Sequence, residues 1–211
     1  MAIDKESAAR AGLDIVTEHG LDELTVRRLA DALGVKAPAL YWHFRDKRAL
    51  LDEMANTMLM PAAARLHELE ALRPWWRKLE QSSLLLHDAL IAQRDGGRIA
   101  LGADIVRAHA LGAYVEHGTV VLHAAGFTLP DASRAAATLF QLVIGRAVEE
   151  QARPGPEEEL RLSAEPGFPF PALAQALHER SASPSIPIDD FGYSLRIVLE
   201  GLRAIHSRSR P

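Results

Sequence analysis

Apolar residues recur at three- and four-residue spacing along nearly all of this 211-residue chain, and period-two alternation is scarce. Ala and Leu dominate and β-branched runs are short, so there is little from which to build a sheet. The chain reads as all-α. The pattern predicts ten helices, near residues 4–19, 25–33, 37–44, 47–66, 75–93, 96–101, 105–124, 131–152, 170–180 and 188–207. Gly20, Gly34, Gly126 and the Arg73-Pro74 step punctuate them as helix ends and breakers. The stretch from Ala152 to Pro171, with Pro154, Gly155, Pro156, Glu157 to Glu159, Pro166, Gly167 and Pro169, reads as the least ordered. A Ser/Pro patch from Ser181 to Pro187 separates the last two helices.

Composition narrows the chemistry. There is no cysteine, which excludes a disulfide scaffold, thiolate metal sites and cysteine nucleophiles. No stretch approaches 18 apolar residues without charge, so a cytoplasmic protein with no membrane partner is expected. The net charge of −4 does not advertise nucleic acid, but its distribution does. Residues 25–48 carry Arg27, Arg28, Lys36, Arg45, Lys47 and Arg48 against Asp31 and Asp46, a local net of +4. The acidic excess lies in the remainder.

That basic segment has the grammar of a helix-turn-helix. Thr25 is a good N-cap for a helix from Val26 to Leu33, with Leu29, Ala30 and Leu33 on its apolar face. Gly34 permits the left-handed residue that ends it, and Pro38 suits the first turn of the next helix. At about 100° per residue, Ala37, Leu40 and Phe44 fall on one side and Pro38, Ala39, Tyr41 and Trp42 on the other. Two readings fit the second set: a small aromatic core cluster, or a surface that enters a DNA groove. The neighbouring cations favour the groove.

The segments Leu24-Thr25-Val26-Arg27-Arg28-Leu29-Ala30, Leu33-Gly34-Val35 and Leu40-Tyr41-Trp42-His43-Phe44 resemble the DNA-binding domain of the tetracycline-repressor (TetR) family. Asp46-Lys47-Arg48-Ala49-Leu50-Leu51 resembles that family's start of helix 4, and Gln93-Arg94-Asp95-Gly96 is similar to the tetracycline repressors themselves. Weaker similarity reaches Gly201-Leu202. The resemblance implies a three-helix helix-turn-helix domain over 1–48, followed over 49–211 by a helical effector-binding and dimerisation domain. It implies phosphate contacts for Thr25, Tyr41 and Lys47, base reading by Arg27, and apolar base contacts for Pro38, Ala39 and Trp42. A surface salt bridge is the alternative role for Arg27. Ala37 and Ala39 stand where tetracycline repressors have polar side chains, so polar readout falls to Arg27, Lys36 and His43.

In the larger domain, helix 132–151 is apolar nearly all round, through residues such as Leu139, Val143 and Val148. Helix 191–205 behaves alike through Leu195, Leu199 and Leu202. Such helices are buried on several sides, either within one chain or against a second copy. The resemblance implies a homodimer joined by these two helices. It also implies an effector pocket lined by Ser82, Leu86, Ala100, Ala103, Glu116, Leu173 and Leu177.

Tetracycline repressors ligate the drug's Mg²⁺ through a histidine, with help through water from a threonine and a glutamate. The matching positions here are Ala100, Ala103 and Glu149. Ala63 and Ser82 replace further polar contacts, and Asp104 replaces a basic residue. One carboxylate does not define a Mg²⁺ site, so the expected effector is small, largely apolar and metal-free, and no cofactor is called for. His87, His109, His117 and His123 form no metal-binding spacing, and Trp75-Trp76 reads as a packing anchor. The expected function is a ligand-responsive repressor that binds double-stranded operator DNA. The alternatives are a helical small-molecule enzyme, against which stands the lack of any catalytic pairing, and an interaction module that has lost DNA binding.

Overall fold

The computed structural model describes residues 4–153, 155–182 and 190–208, and among them every regular element is helical. Helices α1 (Lys5–His19), α2 (Val26–Ala32) and α3 (Ala37–Tyr41), with a 3₁₀ turn at Leu21–Glu23, form a small head. Helix α4 (Lys47–Ala63) runs on through a 3₁₀ segment, Ala64–Ala71, into the body. The body comprises α5 (Trp75–Ile91), α6 (Gly96–Gly102), α7 (His109–Ala125), α8 (Leu129–Ala152), α9 (Pro156–Ser163), α10 (Pro171–Ala182) and α11 (Asp190–Arg208).

Side chains begin several of these helices by satisfying amides that the helix cannot. Asp4 accepts from the Ser7 amide at 2.6 Å while Ser7 Oγ accepts from the Asp4 amide at 3.3 Å, a reciprocal capping box. Thr25 Oγ1 accepts from the Arg28 amide at 3.1 Å, as the sequence predicts. Asp46 caps α4 through the Ala49 amide at 2.8 Å. Gly34 and Gly126 take positive φ, 67° and 111°, where α2 and α7 end.

Helix α1 buries Ala8, Ala9, Leu13 and Val16 and packs on α4, so the helix that leaves the head is also part of its core. Met54 of α4 is fully buried there, and a Cβ on Gly12 would lie 3.0 Å from its sulfur. In the body, Leu79, Leu86, Leu90, Ile99, Leu111, Leu122, Val143 and Leu195 are all but inaccessible. Each such side chain contributes roughly 1.5–3 kcal/mol by leaving water. Helices α7 and α8 pack closely, with the Cβ position of Gly118 only 3.1 Å from Ala136 Cβ.

The structure departs from the periodicity in several places, and α3, predicted over 37–44, ends at Tyr41. Helix α9 occupies part of the stretch read as least ordered. Pro156 leads it and Glu157, Glu158 and Glu159 fill its first turn, where the unpaired amides favour carboxylates. The predicted helix at 105–124 begins only at His109. Side chains bond the backbone ahead of it: Asp52 accepts from the Asp104 amide at 2.6 Å, Asp104 from Val106 at 3.0 Å, and Asn56 from Ala110 at 3.0 Å. The helix predicted over 47–66 ends at Ala63, and its continuation tightens to 3₁₀. The start of the last predicted helix at 188 and most of the Ser/Pro patch lie outside the described residues. Among those described, no helix is long and apolar enough to cross a membrane.

Helix α6 approaches α8 so closely that a Cβ on Gly97 would stand 2.7 Å from the Val148 backbone nitrogen. Backbone cannot yield as a side-chain tip can. Gly97→Ala should therefore destabilise the protein by about 1–3 kcal/mol, the usual cost of overpacking, in urea unfolding.

Candidate nucleic-acid interface and effector site

The head presents one exposed apolar and basic face. Trp42 is 90 % exposed and Tyr41 58 %, while Leu40 and Phe44 are buried beneath them. Pro38 is also exposed, and Ala37, Ala39 and His43 are half-buried. This is the division that the helical angles predict, and it leaves no aromatic core cluster made from Tyr41 and Trp42. Arg28 pairs with Glu23 at 3.2 Å and Arg45 with Asp46 at 3.3 Å. Among the described residues, Arg27, Lys36, Lys47 and Arg48 are exposed and form no ion pair, although the charge of Lys47 is felt by the Asp22 carboxyl. Thr25, Tyr41 and Lys47 come together from three elements around one hollow of about 240 Å³, floored by Leu29, Leu40 and Leu50. The oxygen of Thr25 is occupied by the Arg28 amide, but its proton remains available for donation.

The expected effector residues are only partly brought together. Ser82 and Leu86 line a narrow slot with Tyr114, Leu139 and Phe140, between α5, α7 and α8. Ala100 and Ala103 are buried at the C-terminal end of α6 and line neither that slot nor the head hollow. Glu116 is exposed on α7. Leu173 and Leu177 sit on α10, which packs on α9 and buries none of its own residues. Glu149 is engaged by Arg153 and, at 3.7 Å, by Arg146. Among the described residues, no three His, Asp or Glu side chains come together as a metal site.

Helices α8 and α11 lie side by side, and the residues singled out on them divide by face. Leu139, Val143, Leu195, Leu199 and Leu202 turn into the chain's own core, and half-buried Val148 packs where α6 meets α8. The opposite face is bare. Tyr193 and Ile197 are 59 % and 57 % exposed, and the Cβ positions of Gly145 and Gly201 meet nothing within 4 Å. An open groove of about 570 Å³ runs between the two helices past Thr138, Val198 and Gly201.

Head and body meet at a turn whose role the periodicity does not reveal. Arg94 Nη1 donates to the Thr17 and Glu18 carbonyls at 3.3 and 3.0 Å, at the end of α1. Asp95 Oδ2 accepts from the Leu21 amide at 2.8 Å, and Asp95 itself adopts the left-handed conformation, φ 56°. Arg98 donates to Asp22 at 2.6 Å and to Asp95 at 3.1 Å. These hydrogen bonds raise the pKa of the guanidinium and lower that of the Asp22 carboxyl. From behind, the Gln151 amide donates to the carbonyls of Leu90 and Gln93, at 3.1 and 2.7 Å, and accepts from the Gly97 amide at 3.1 Å. The sequence marks this turn through the Gln93-Arg94-Asp95-Gly96 resemblance and through Gly96-Gly97, a weak turn signal, and neither gives it a role.

The chain matches the family described as bacterial regulatory proteins, tetR family, over residues 9–54. Over 73–206 it matches the tetracyclin repressor-like C-terminal domain. It is 34 % identical over 203 residues to the class A tetracycline repressor protein from transposon 1721 of Escherichia coli, covering 95 % of this chain and 90 % of that one. A possible TetR family transcriptional regulator from Streptomyces coelicolor A3(2) superposes with a TM-score of 0.78 at 33 % identity, over 96 % of this chain and all of the other. BioQ, solved with its double-stranded DNA operator, superposes at 0.65 with 26 % identity, over 96 % of this chain and 99 % of that one.

Arg94→Ala removes both bonds to the end of α1. It should lower stability by about 1–2 kcal/mol, and amide exchange over residues 17–24 should accelerate more than exchange in the core of α8.

Proposed function

The chain belongs to the tetR family of bacterial regulatory proteins, a family of ligand-responsive DNA-binding regulators, and from that premise we propose a cytoplasmic repressor that binds a palindromic operator as a homodimer. Residues 1–48 read DNA and residues 49–211 dimerise and bind a small, largely apolar effector that releases the operator. The observation that carries this reading is the head's bare face: Tyr41 and Trp42 in solvent beside four unpaired cations. A purely structural helix gains nothing from exposing those rings.

Each residue has a role that its chemistry supports. Thr25 and Tyr41 donate hydroxyl protons to phosphate, and Lys47 contributes charge from the same hollow. Arg27 reads a base edge, with guanine as its bidentate partner. Lys36 and His43 supply further polar contacts from either side of α3, while Ala37, Pro38, Ala39 and Trp42 offer apolar surface to thymine methyls.

Dimerisation uses the bare face of α8 and α11. Tyr193 and Ile197 make the contact, Gly145 and Gly201 let backbones approach, and Leu139, Val143, Val148, Leu195, Leu199 and Leu202 hold the helices from within. A twofold axis there spaces two heads for major grooves about 34–36 Å apart. The effector lies in the body near Ser82, Leu86, Ala100, Ala103 and Glu116. Leu173 and Leu177 reach it from a second copy, because α10 buries nothing in its own chain. A tetracycline–Mg²⁺ chelate does not fit: Ala100 and Ala103 have no donor atom, and Glu149 is held by two arginines.

Selection from random DNA should return a palindrome. Against that site, Arg27→Ala should cost about 1–3 kcal/mol and relax preference at one base, whereas Lys47→Ala should weaken all sequences and reduce the salt slope by about one. Recovery of no preferred DNA would overturn the reading. Ile197→Glu should convert the dimer to a folded monomer in sedimentation and abolish tight binding to the full palindrome. A dimer that survives the change would displace the proposed interface.

A further inference from the structure

The slot between α5, α7 and α8 contains an unmet hydrogen-bonding demand. Tyr114 is 6 % exposed and its hydroxyl oxygen is buried with no partner. An unpaired hydroxyl in an apolar interior is unfavourable and calls for an explanation. Three helices line the slot with Leu79, Ser82, Leu86, Gly118, Leu139 and Phe140, and none of its lining residues carries a charge. The cavity is about 20 Å³, room for one water molecule. One turn along α7, His117 Nε2 is likewise buried and unpartnered. Burial, and then Lys78, push the ring's pKa below its ordinary value.

We infer that the effector held in this slot is a neutral, narrow, mainly apolar molecule bearing a carbonyl oxygen, with the Tyr114 hydroxyl as its hydrogen-bonding anchor. The inference rests on the regulator reading and specifies its ligand. Neutrality follows from the lining, since a charge placed there would be desolvated without a counterion. The carbonyl follows from what is missing. Ser82 already donates to the Leu79 carbonyl at 3.1 Å, whereas the Tyr114 proton has no acceptor. Burial holds the phenol well above its usual pKa, so it remains a donor.

Entry requires the slot to widen, and the geometry gives that movement a destination. Leu139, Phe140 and Val143 line the slot on α8. One to three turns farther along the same helix, Val148 backs Gly97 and Gln151 bonds the Gln93 and Gly97 backbone. A helix moves as a unit, so displacing α8 from α5 loads the turn that carries Arg94 and Asp95 to the head.

The test uses 9-fluorenone and fluorene, matched in shape and differing by one carbonyl oxygen, titrated into the full-length protein by calorimetry. Wild type should bind fluorenone about tenfold more tightly than fluorene, and Tyr114→Phe should erase that preference without weakening fluorene. Tyr114→Phe should also raise the thermal midpoint of the free protein, since it removes an unpaired group. Failure of both probes to bind, equal binding of both by wild type, or a preference that survives Tyr114→Phe would overturn the inference. A lowered midpoint would show that a buried water already serves the hydroxyl, and would overturn it as well. The wild-type comparison needs no variant to fold. Operator binding, measured on the same samples, separates the two claims: intact operator binding without probe discrimination removes the slot and leaves the regulator.

Discussion

The turn from Gln93 to Arg98 is the constraint on which the two halves of this chain depend. It joins three elements that are far apart in sequence: the end of α1, the start of α6 and the last turn of α8. Most of its contacts pair a side chain with backbone, so they specify position and not merely proximity. Arg94 takes carbonyls that the end of α1 leaves unpaired, and Asp95 takes the amide that opens the next turn. Two glycines are required because α6 must pass so close to neighbouring backbone: a Cβ on Gly96 would meet the Leu90 carbonyl oxygen at 2.2 Å. Asp95 bears an uncommon left-handed conformation there, which Asp tolerates better than most residues.

Charge is divided too, but within the head: residues 1–24 carry −4 and residues 25–48 carry +4. The segment 25–48 holds a local +4 within a chain of −4, and its unpaired cations surround the exposed rings of α3. The acidic body disfavours a duplex, and only the 25–48 segment of the head offers it net positive charge. Non-specific affinity stays modest under such a division, and discrimination depends on base contacts. The family to which the chain belongs makes this arrangement functional, but the arrangement is visible in the charges themselves.

What was legible in the sequence follows a physical rule. Local interactions could be read: Thr25 as a cap, Gly34 as a left-handed stop, Leu40 and Phe44 inward with Tyr41 and Trp42 outward. Each depends on neighbours within a turn or two. Helix α9 escapes a periodicity reading because Pro156 and the glutamates after it sit in a stretch whose composition reads as disorder, although that order of residues is what a helix start favours. The faces of α8 and α11 were harder still. A helix apolar all round does not say which residues meet its own chain, so Leu195 and Leu199 could not be told from Tyr193 and Ile197. Tyr114 and Gln151 were invisible, because an unpaired hydroxyl and a bridging amide exist only once distant helices meet.

The strength of the connection also bears on whether so small a slot could govern the head. An individual hydrogen bond in the turn contributes about 0.5–1.5 kcal/mol net, so reorienting the head by releasing two or three of them costs only a few kcal/mol. A ligand that buries about 200 Å² of apolar surface in the widened slot gains roughly 5 kcal/mol by leaving water. That gain must be larger in the released form than in the DNA-bound form, because equal affinity for both shifts nothing. A slot that is nearly closed meets this condition by its geometry: the ligand has no room until α8 has moved, so nearly all of its binding energy belongs to the displaced state. A roomy preformed pocket would have the opposite property, binding in either state and coupling weakly. The tight packing of α7 against α8 at Gly118 and Ala136 is thus as much a part of the proposed switch as the hydroxyl beside it.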